Sequence, residues 1–275
     1  MPFWAPGHAV ADTMNREGIM SRILAAAYGI FSYVVFLAAF LYAIGFVGDF
    51  AVPRTVDSGV DAALGEAVVV NLVLLGLFAV QHSVMARPAF KRRWTRVVPA
   101  VIERSTFVLI ASLLLFLLFW QWRTMPQTVW DVSWAPGRFV LWVAFWAGWA
   151  TVLASTFMIN HFDLFGLRQV YLGWRREPYT GLKFQTLLLY KVVRHPIMLG
   201  FIVAFWATPT MSAGHLLFAV ATTAYIMVAL RFEEHDLTEA MGEEYRDYRR
   251  RVPMLIPGLH RDHRHAPTTP SGATG

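Results

Sequence analysis

The chain has 275 residues, 56% of them hydrophobic and only 15% charged, with mean hydropathy +0.46. A soluble domain carries about 25% charged residues, so this composition belongs in a membrane. Cysteine is absent, which excludes disulfides, thiolate-ligated zinc, iron–sulfur clusters and a cysteine nucleophile. The net charge of +6 is read through membrane topology and not as a nucleic-acid footprint.

Met1–Gly18 carries Asp12 and Glu17 and has no apolar core, so no cleavable signal is expected. A bilayer crossing needs about 20 apolar residues. Four runs provide it: Ile23–Val47, Ala67–Met85, Ser105–Trp122 and Phe139–Ile159. A fifth apolar region, Pro196–Leu230, is too long for one upright helix and is interrupted by turn chemistry at Pro209–Gly214. A proline and a glycine there predict a hairpin of two shorter helices. The expected fold is an all-α integral membrane protein with four transmembrane helices, a C-terminal membrane helix hairpin and a cytosolic C-terminal segment. Residues 1–22 are expected to be a cytosolic N-terminal segment, 23–259 one membrane domain, and 260–275 a disordered tail rich in Pro, Thr and His.

Charge alternates between the connections. Arg87, Lys91, Arg92, Arg93, Arg96 and Arg104 follow the second run, and Arg168, Arg175, Arg176, Lys183, Lys191 and Arg194 follow the fourth. The stretch Asp49–Glu66 instead holds Asp49, Asp57, Asp61 and Glu66 against Arg54 alone. The positive-inside rule then places both termini in the cytosol of a multi-pass membrane protein. Trp120, Trp122, Trp130 and Trp134 are expected in the aromatic belt on the outer side.

This topology gathers ionisable residues at the cytosolic face. His82 ends the second run, His161 and Asp163 follow the fourth, Arg194-His195 open the hairpin, and Glu233-Glu234 close it. His215 falls at the hairpin tip across the bilayer, and His8, His260, His263 and His265 fall in the tails. Charge clustered against a membrane segment is costly and marks function, although a single histidine at a helix end is often a cap. Two histidines and an aspartate suit either a general base or a divalent metal.

The stretch Tyr190, Arg194-His195-Pro196, Gly200, Glu233-Glu234 and Gly242 to Tyr248 resembles the C-terminal part of isoprenylcysteine carboxyl methyltransferases and phospholipid methyltransferases. Where the isoprenylcysteine pattern has tyrosine, this chain has Met198. A longer resemblance, carried by Gln81–Pro88, Asn160–Gln169 and Arg251–Pro257, is to bacterial methanethiol S-methyltransferases and the NnrU-like group. The resemblance implies S-adenosylmethionine as methyl donor, a small thiol as substrate, and conversion of methanethiol to dimethyl sulfide. It implies cofactor contacts from Tyr190, Arg194, His195, Gly200, Glu233, Glu234, Tyr245 and Tyr248. A guanidinium suits a carboxylate, ionised glutamates accept from hydroxyls or ammonium, and aromatic faces favour a sulfonium. His82, His161 and Asp163 remain for activating the thiol, by a base or by a metal. The alternatives are methylation of a lipid or prenylcysteine carboxylate and a non-enzymatic NnrU-like membrane protein.

Overall fold

A computed structural model describes residues 18–181 and 186–258. The expectations for most of the N-terminal segment, for the tail 260–275, for both termini, and for Lys183, His8, His260, His263 and His265 lie outside the described residues. Among the described residues, five helices are long and apolar enough to cross a membrane: α1 (Ile19–Gly48), α2 (Leu64–Ala86), α4 (Ala100–Gln121), α5 (Ala135–Ile159) and α9 (Ala213–Met241). Four short helices join them: α3 (Pro88–Trp94), α6 (His161–Leu164), α7 (Leu167–Arg175) and α8 (Pro196–Trp206), and α10 (Glu243–Arg251) follows α9.

The hairpin differs from expectation in being unequal. At about 1.5 Å per residue, α8 reaches only about 16 Å, roughly half of the ~30 Å hydrocarbon core. It stops because Ala207–Pro209 leave the helix and Thr210–Ser212 become a strand (β2), paired antiparallel with Thr128–Asp131 (β1). The other arm, α9, does not end at Leu230 but runs 29 residues through the charged stretch to Met241. Ser212 caps its start by accepting from the His215 amide at 3.0 Å. Gly242, at φ 60°, turns the chain into α10, a conformation costly for other residues.

α1 packs on α4 and α7, α4 on α2, and α5 on α8. The main apolar core lies at the β-strand end of the bundle, where Phe46, Leu118, Trp122, Phe145, Phe205 and Phe218 meet. Trp122 is a correction to the aromatic-belt expectation. It is fully buried there, and its indole donates to the Val56 carbonyl at 3.0 Å. Trp120 and Trp134 are exposed as a belt requires.

The α5–α8 crossing depends on two glycines. A Cβ on Gly148 would stand 2.7 Å from the Gly200 carbonyl oxygen, and one on Gly200 would stand 2.7 Å from that of Gly148. Small residues let membrane helices approach to backbone contact. Gly200→Ala is therefore expected to destabilise the protein by about 1–3 kcal/mol, the usual scale of overpacking. Thermal unfolding in detergent reads this, and an unchanged midpoint would remove the glycine contact from the account.

Candidate active site

One end of the bundle collects the C-terminus of α2, the N-terminus of α4, the C-terminus of α5, the start of α8 and the end of α9. This is where the sequence places its ionisable residues. Arg194 and Glu234, expected side by side, are an ion pair: Arg194 Nε donates to Glu234 Oε1 at 2.7 Å and Nη2 lies 2.6 Å from the same oxygen. His195 Nε2 joins it at 3.2 Å and Arg249 Nε approaches the other oxygen at 3.4 Å. Arg194 Nη1 also donates to the carbonyls of Val252 and Arg249. The backbone amides of Arg194 and His195 donate to the carbonyls of Pro253 and Met254 at 2.9 and 3.2 Å. The segment Arg251–Pro257 is thus stitched to the hairpin's first residues.

Above this clamp lies a cavity of about 1650 Å³. Its wall includes Tyr190, Arg194, His195, Glu233, Tyr245 and Tyr248 from the hairpin side, and His82, His161 and Asp163 from the other helices. Two expected cofactor residues do not reach it. Gly200 lies on another face of α8, against Gly148, and Glu234 lies behind Arg194. Met198, where the isoprenylcysteine pattern has tyrosine, lines the cavity. The Tyr248 hydroxyl donates to the Tyr190 carbonyl at 2.6 Å. Burial pushes all three phenols up, Tyr248 to about 12, so each stays protonated at neutral pH.

The expected thiol-activating residues are close in the cavity but are not one cluster. His82 is flanked by Phe78 and Phe107, with ring centroids at 5.3 and 5.0 Å, and its Nδ1 has no partner among the described residues. His161 is held at both nitrogens. The Thr156 hydroxyl donates to the Leu153 carbonyl at 2.7 Å, so toward His161 Nδ1, 2.8 Å away, it accepts. That fixes the proton on Nδ1 and leaves Nε2 to accept from the Tyr33 hydroxyl at 2.8 Å. Burial pushes the His161 imidazole below its ordinary 6.5, which keeps it neutral.

His161 and Asp163 do not form a carboxylate–histidine pair. Residues two apart on a helical turn point away from each other. Asp163 accepts instead from Arg168 at 3.0 Å, Tyr179 at 3.2 Å and, more distantly, Gln169 at 3.4 Å. Burial and then this carboxylate push Tyr179 to about 12. Among the described residues, no three of His, Asp and Glu converge so as to hold a metal ion.

Several residues of this end were not anticipated. Tyr33 and Thr156 are ordinary residues of apolar helices, and nothing in the sequence ties them to His161. Arg104 reads as part of a basic loop, yet it is buried in α4, donates to the Leu164 carbonyl at 2.7 Å and lies over the Phe107 ring. The signal was its place directly against the start of the apolar run Ser105–Trp122. Arg87 pairs with Asp236 at 2.7 Å and ties α2 to α9.

A family model described as NnrU protein matches residues 70–254. Methanethiol S-methyltransferase of Mycobacterium tuberculosis is 69% identical over 242 residues, covering 88% of this chain and 99% of that relative. Methanethiol S-methyltransferase 2 of Bradyrhizobium diazoefficiens is 56% identical over 241 residues, 88% of this chain and 93% of the relative. Nurim of Mus musculus is 32% identical over 189 residues, 64% of this chain and 70% of nurim. No solved structure matches. The chain therefore belongs to the NnrU family and, within it, to the methanethiol S-methyltransferases.

Proposed function

We propose that this chain methylates methanethiol to dimethyl sulfide with S-adenosylmethionine, by direct in-line transfer to the thiolate at the cytosolic membrane interface. One observation carries the reading: a single cavity joins the Tyr190–His195–Glu233 wall to His82 and His161, in a chain 69% identical to a relative named for that reaction. S-adenosylmethionine supplies the methyl group from a sulfonium. The wall fits such a group chemically. Glu233 offers a carboxylate to an ammonium or to ribose hydroxyls. Tyr190, Tyr245 and Tyr248, kept neutral, offer aromatic faces to a cation. Arg194 has its donors on Glu234 and on backbone carbonyls. It therefore serves the cofactor by holding the wall in place.

Thiols ionise weakly near neutral pH; even cysteine has a pKa of about 8.5, and the thiolate is the nucleophile. His82, on the cavity wall, is the proton acceptor. His161 lines the same cavity with both ring nitrogens taken by Thr156 and Tyr33, so it shapes the site beside the thiol and exchanges no proton with it. Asp163 fixes the α6–α7 turn that presents His161. With no cysteine in the chain, transfer through a methylated cysteine is impossible. The basic end of the bundle faces the cytosol. Cysteine placed at position 175 should then label from the cytosolic side alone, and periplasmic labelling would reverse the orientation.

Two further outcomes test the roles. Removing one partner of a buried ion pair costs about 3–5 kcal/mol. Arg194→Ala and Glu234→Ala should therefore lower thermal stability and abolish S-adenosylmethionine binding together. Glu233→Gln should weaken binding roughly ten- to a hundredfold, the scale of a lost charged hydrogen bond, with stability retained. Calorimetric titration at wild-type affinity in all three would refute the wall.

His82→Gln should bind S-adenosylmethionine normally yet turn over about a hundred- to ten-thousandfold more slowly at neutral pH, the usual contribution of a general base. The wild-type rate falls as pH drops and the imidazole takes a proton. The variant's deficit shrinks as pH rises, because free thiolate replaces the missing base. A pH–rate profile identical to wild type would take His82 out of the mechanism.

A further inference from the structure

The cavity is larger than S-adenosylmethionine and a one-carbon thiol together require. Its volume of about 1650 Å³ exceeds the ~300–1,000 Å³ of ordinary small-molecule sites. Its depth can be read along two helices. On α4 the lining runs from Glu103 to Phe119, about 24 Å, and on α9 from Glu233 to Phe218, about 22 Å. The ionisable groups stay at one end. The deep arm is walled by Leu115, Leu118, Trp149, Phe205 and Phe218. Its two hydroxyls are satisfied within their own helices: Ser112 donates to the Val108 carbonyl at 2.8 Å and Thr222 to the Phe218 carbonyl at 2.6 Å. What remains is an apolar slot that starts at the histidines and runs most of the way through the hydrocarbon core.

The slot also has a side opening. On α1, Ile30, Val34, Leu37 and Leu41 form one exposed stripe, and on α5, Val143, Trp146 and Leu153 form another. Ile30, Val34, Val143 and Trp146 do not line the cavity, whereas Leu37, Leu41 and Leu153 do. The lipid-facing stripes of α1 and α5 therefore become cavity wall at those three leucines. They lie near two side-chain bridges between the helices, Tyr33–His161 and Phe40–Trp149. A molecule dissolved in the acyl chains reaches the histidines without crossing water.

We propose that the chain also methylates long-chain alkyl thiols, the alkyl tail lying in the deep arm and the sulfur beside His82. This rests on the methyltransferase reading above and widens its substrate class. The chemistry balances as for methanethiol. The S–H proton passes to His82, the thiolate sulfur forms the new S–CH3 bond, and the bond from that methyl to the sulfonium breaks. The products are an alkyl methyl sulfide, S-adenosylhomocysteine and a proton. The occupant is a tail carrying a thiol head because the arm is continuous with the polar site and closed at its far end by the core around Phe218 and Trp122.

The test uses the full chain in liposomes with S-adenosylmethionine and straight-chain thiols from one to eight carbons. Referred to thiol free in water, kcat/KM should rise with length by up to about fourfold per methylene, the transfer value of a buried CH2. Thr222→Phe, which fills the arm beyond the reacting end, should cut octanethiol kcat/KM at least tenfold and leave methanethiol turnover unchanged. Ala111→Leu serves the same purpose should that variant not fold. Independently of turnover, octyl methyl sulfide bearing a terminal diazirine should label Leu118 or Phe218 in wild type and lose that label in the filled variant. Methanethiol turnover without octanethiol turnover, or label confined to the lipid-facing stripes, overturns the proposal and leaves the proposed function standing. Turnover of neither thiol overturns both.

Discussion

Arg194 and Glu234 lie in an almost solvent-free contact, their side chains only 9% and 8% exposed, at the end of a bundle whose outer surface is hydrocarbon. Taking two charges from water costs several kcal/mol each, and only close geometry with further hydrogen bonds offsets it. Here the geometry is close, and the remaining donors and acceptors are used by His195, Arg249 and the carbonyl of Val252. The pair holds three things at once: the start of α8, the end of α9, and the C-terminal segment Arg251–Pro257. The ion pair gives the first residues of α8 a fixed partner.

The cavity follows from that constraint. With the hairpin clamped at its base, the phenols of Tyr190, Tyr245 and Tyr248 form one wall, and α2, α4 and α5 bring His82 and His161 to the opposite one. On the proposed reading, the tyrosines and Glu233 take the charged, hydroxyl-bearing donor, and His82 stands beside the thiol. A thiol is a poor nucleophile until deprotonated, so a base beside an apolar slot is what its methylation needs.

Much of this was legible from the sequence, for identifiable reasons. The first four spans are long apolar runs, and their number and order survive with boundaries moved by a few residues. The break at Pro209–Gly214 announced that Arg194-His195 and Glu233-Glu234 would meet, and Arg194 and Glu234 do. Helix length in the hairpin was not legible, because α9 stays helical through polar residues paired by tertiary contacts. Strands of three and four residues, β1 and β2, carry too little alternation to be seen. Gly200 read as a cofactor residue from its place in a motif, yet its backbone meets Gly148, a contact between distant segments. The tie between Tyr33 and His161 spans 128 positions, and only packing reveals it. The apparent His161–Asp163 pair failed on simple helical geometry, since a spacing of two sends the side chains apart.

The central claim is that this chain transfers the methyl group of S-adenosylmethionine to methanethiol. The direct measurement supplies purified protein in liposomes with methanethiol and S-adenosylmethionine carrying a deuterated methyl group, and analyses the headspace by mass spectrometry. The account predicts dimethyl sulfide with one deuterated methyl, formed at a rate proportional to protein and lost in His82→Gln at neutral pH. Headspace free of labelled dimethyl sulfide, from protein shown by calorimetry to bind S-adenosylmethionine, would contradict it.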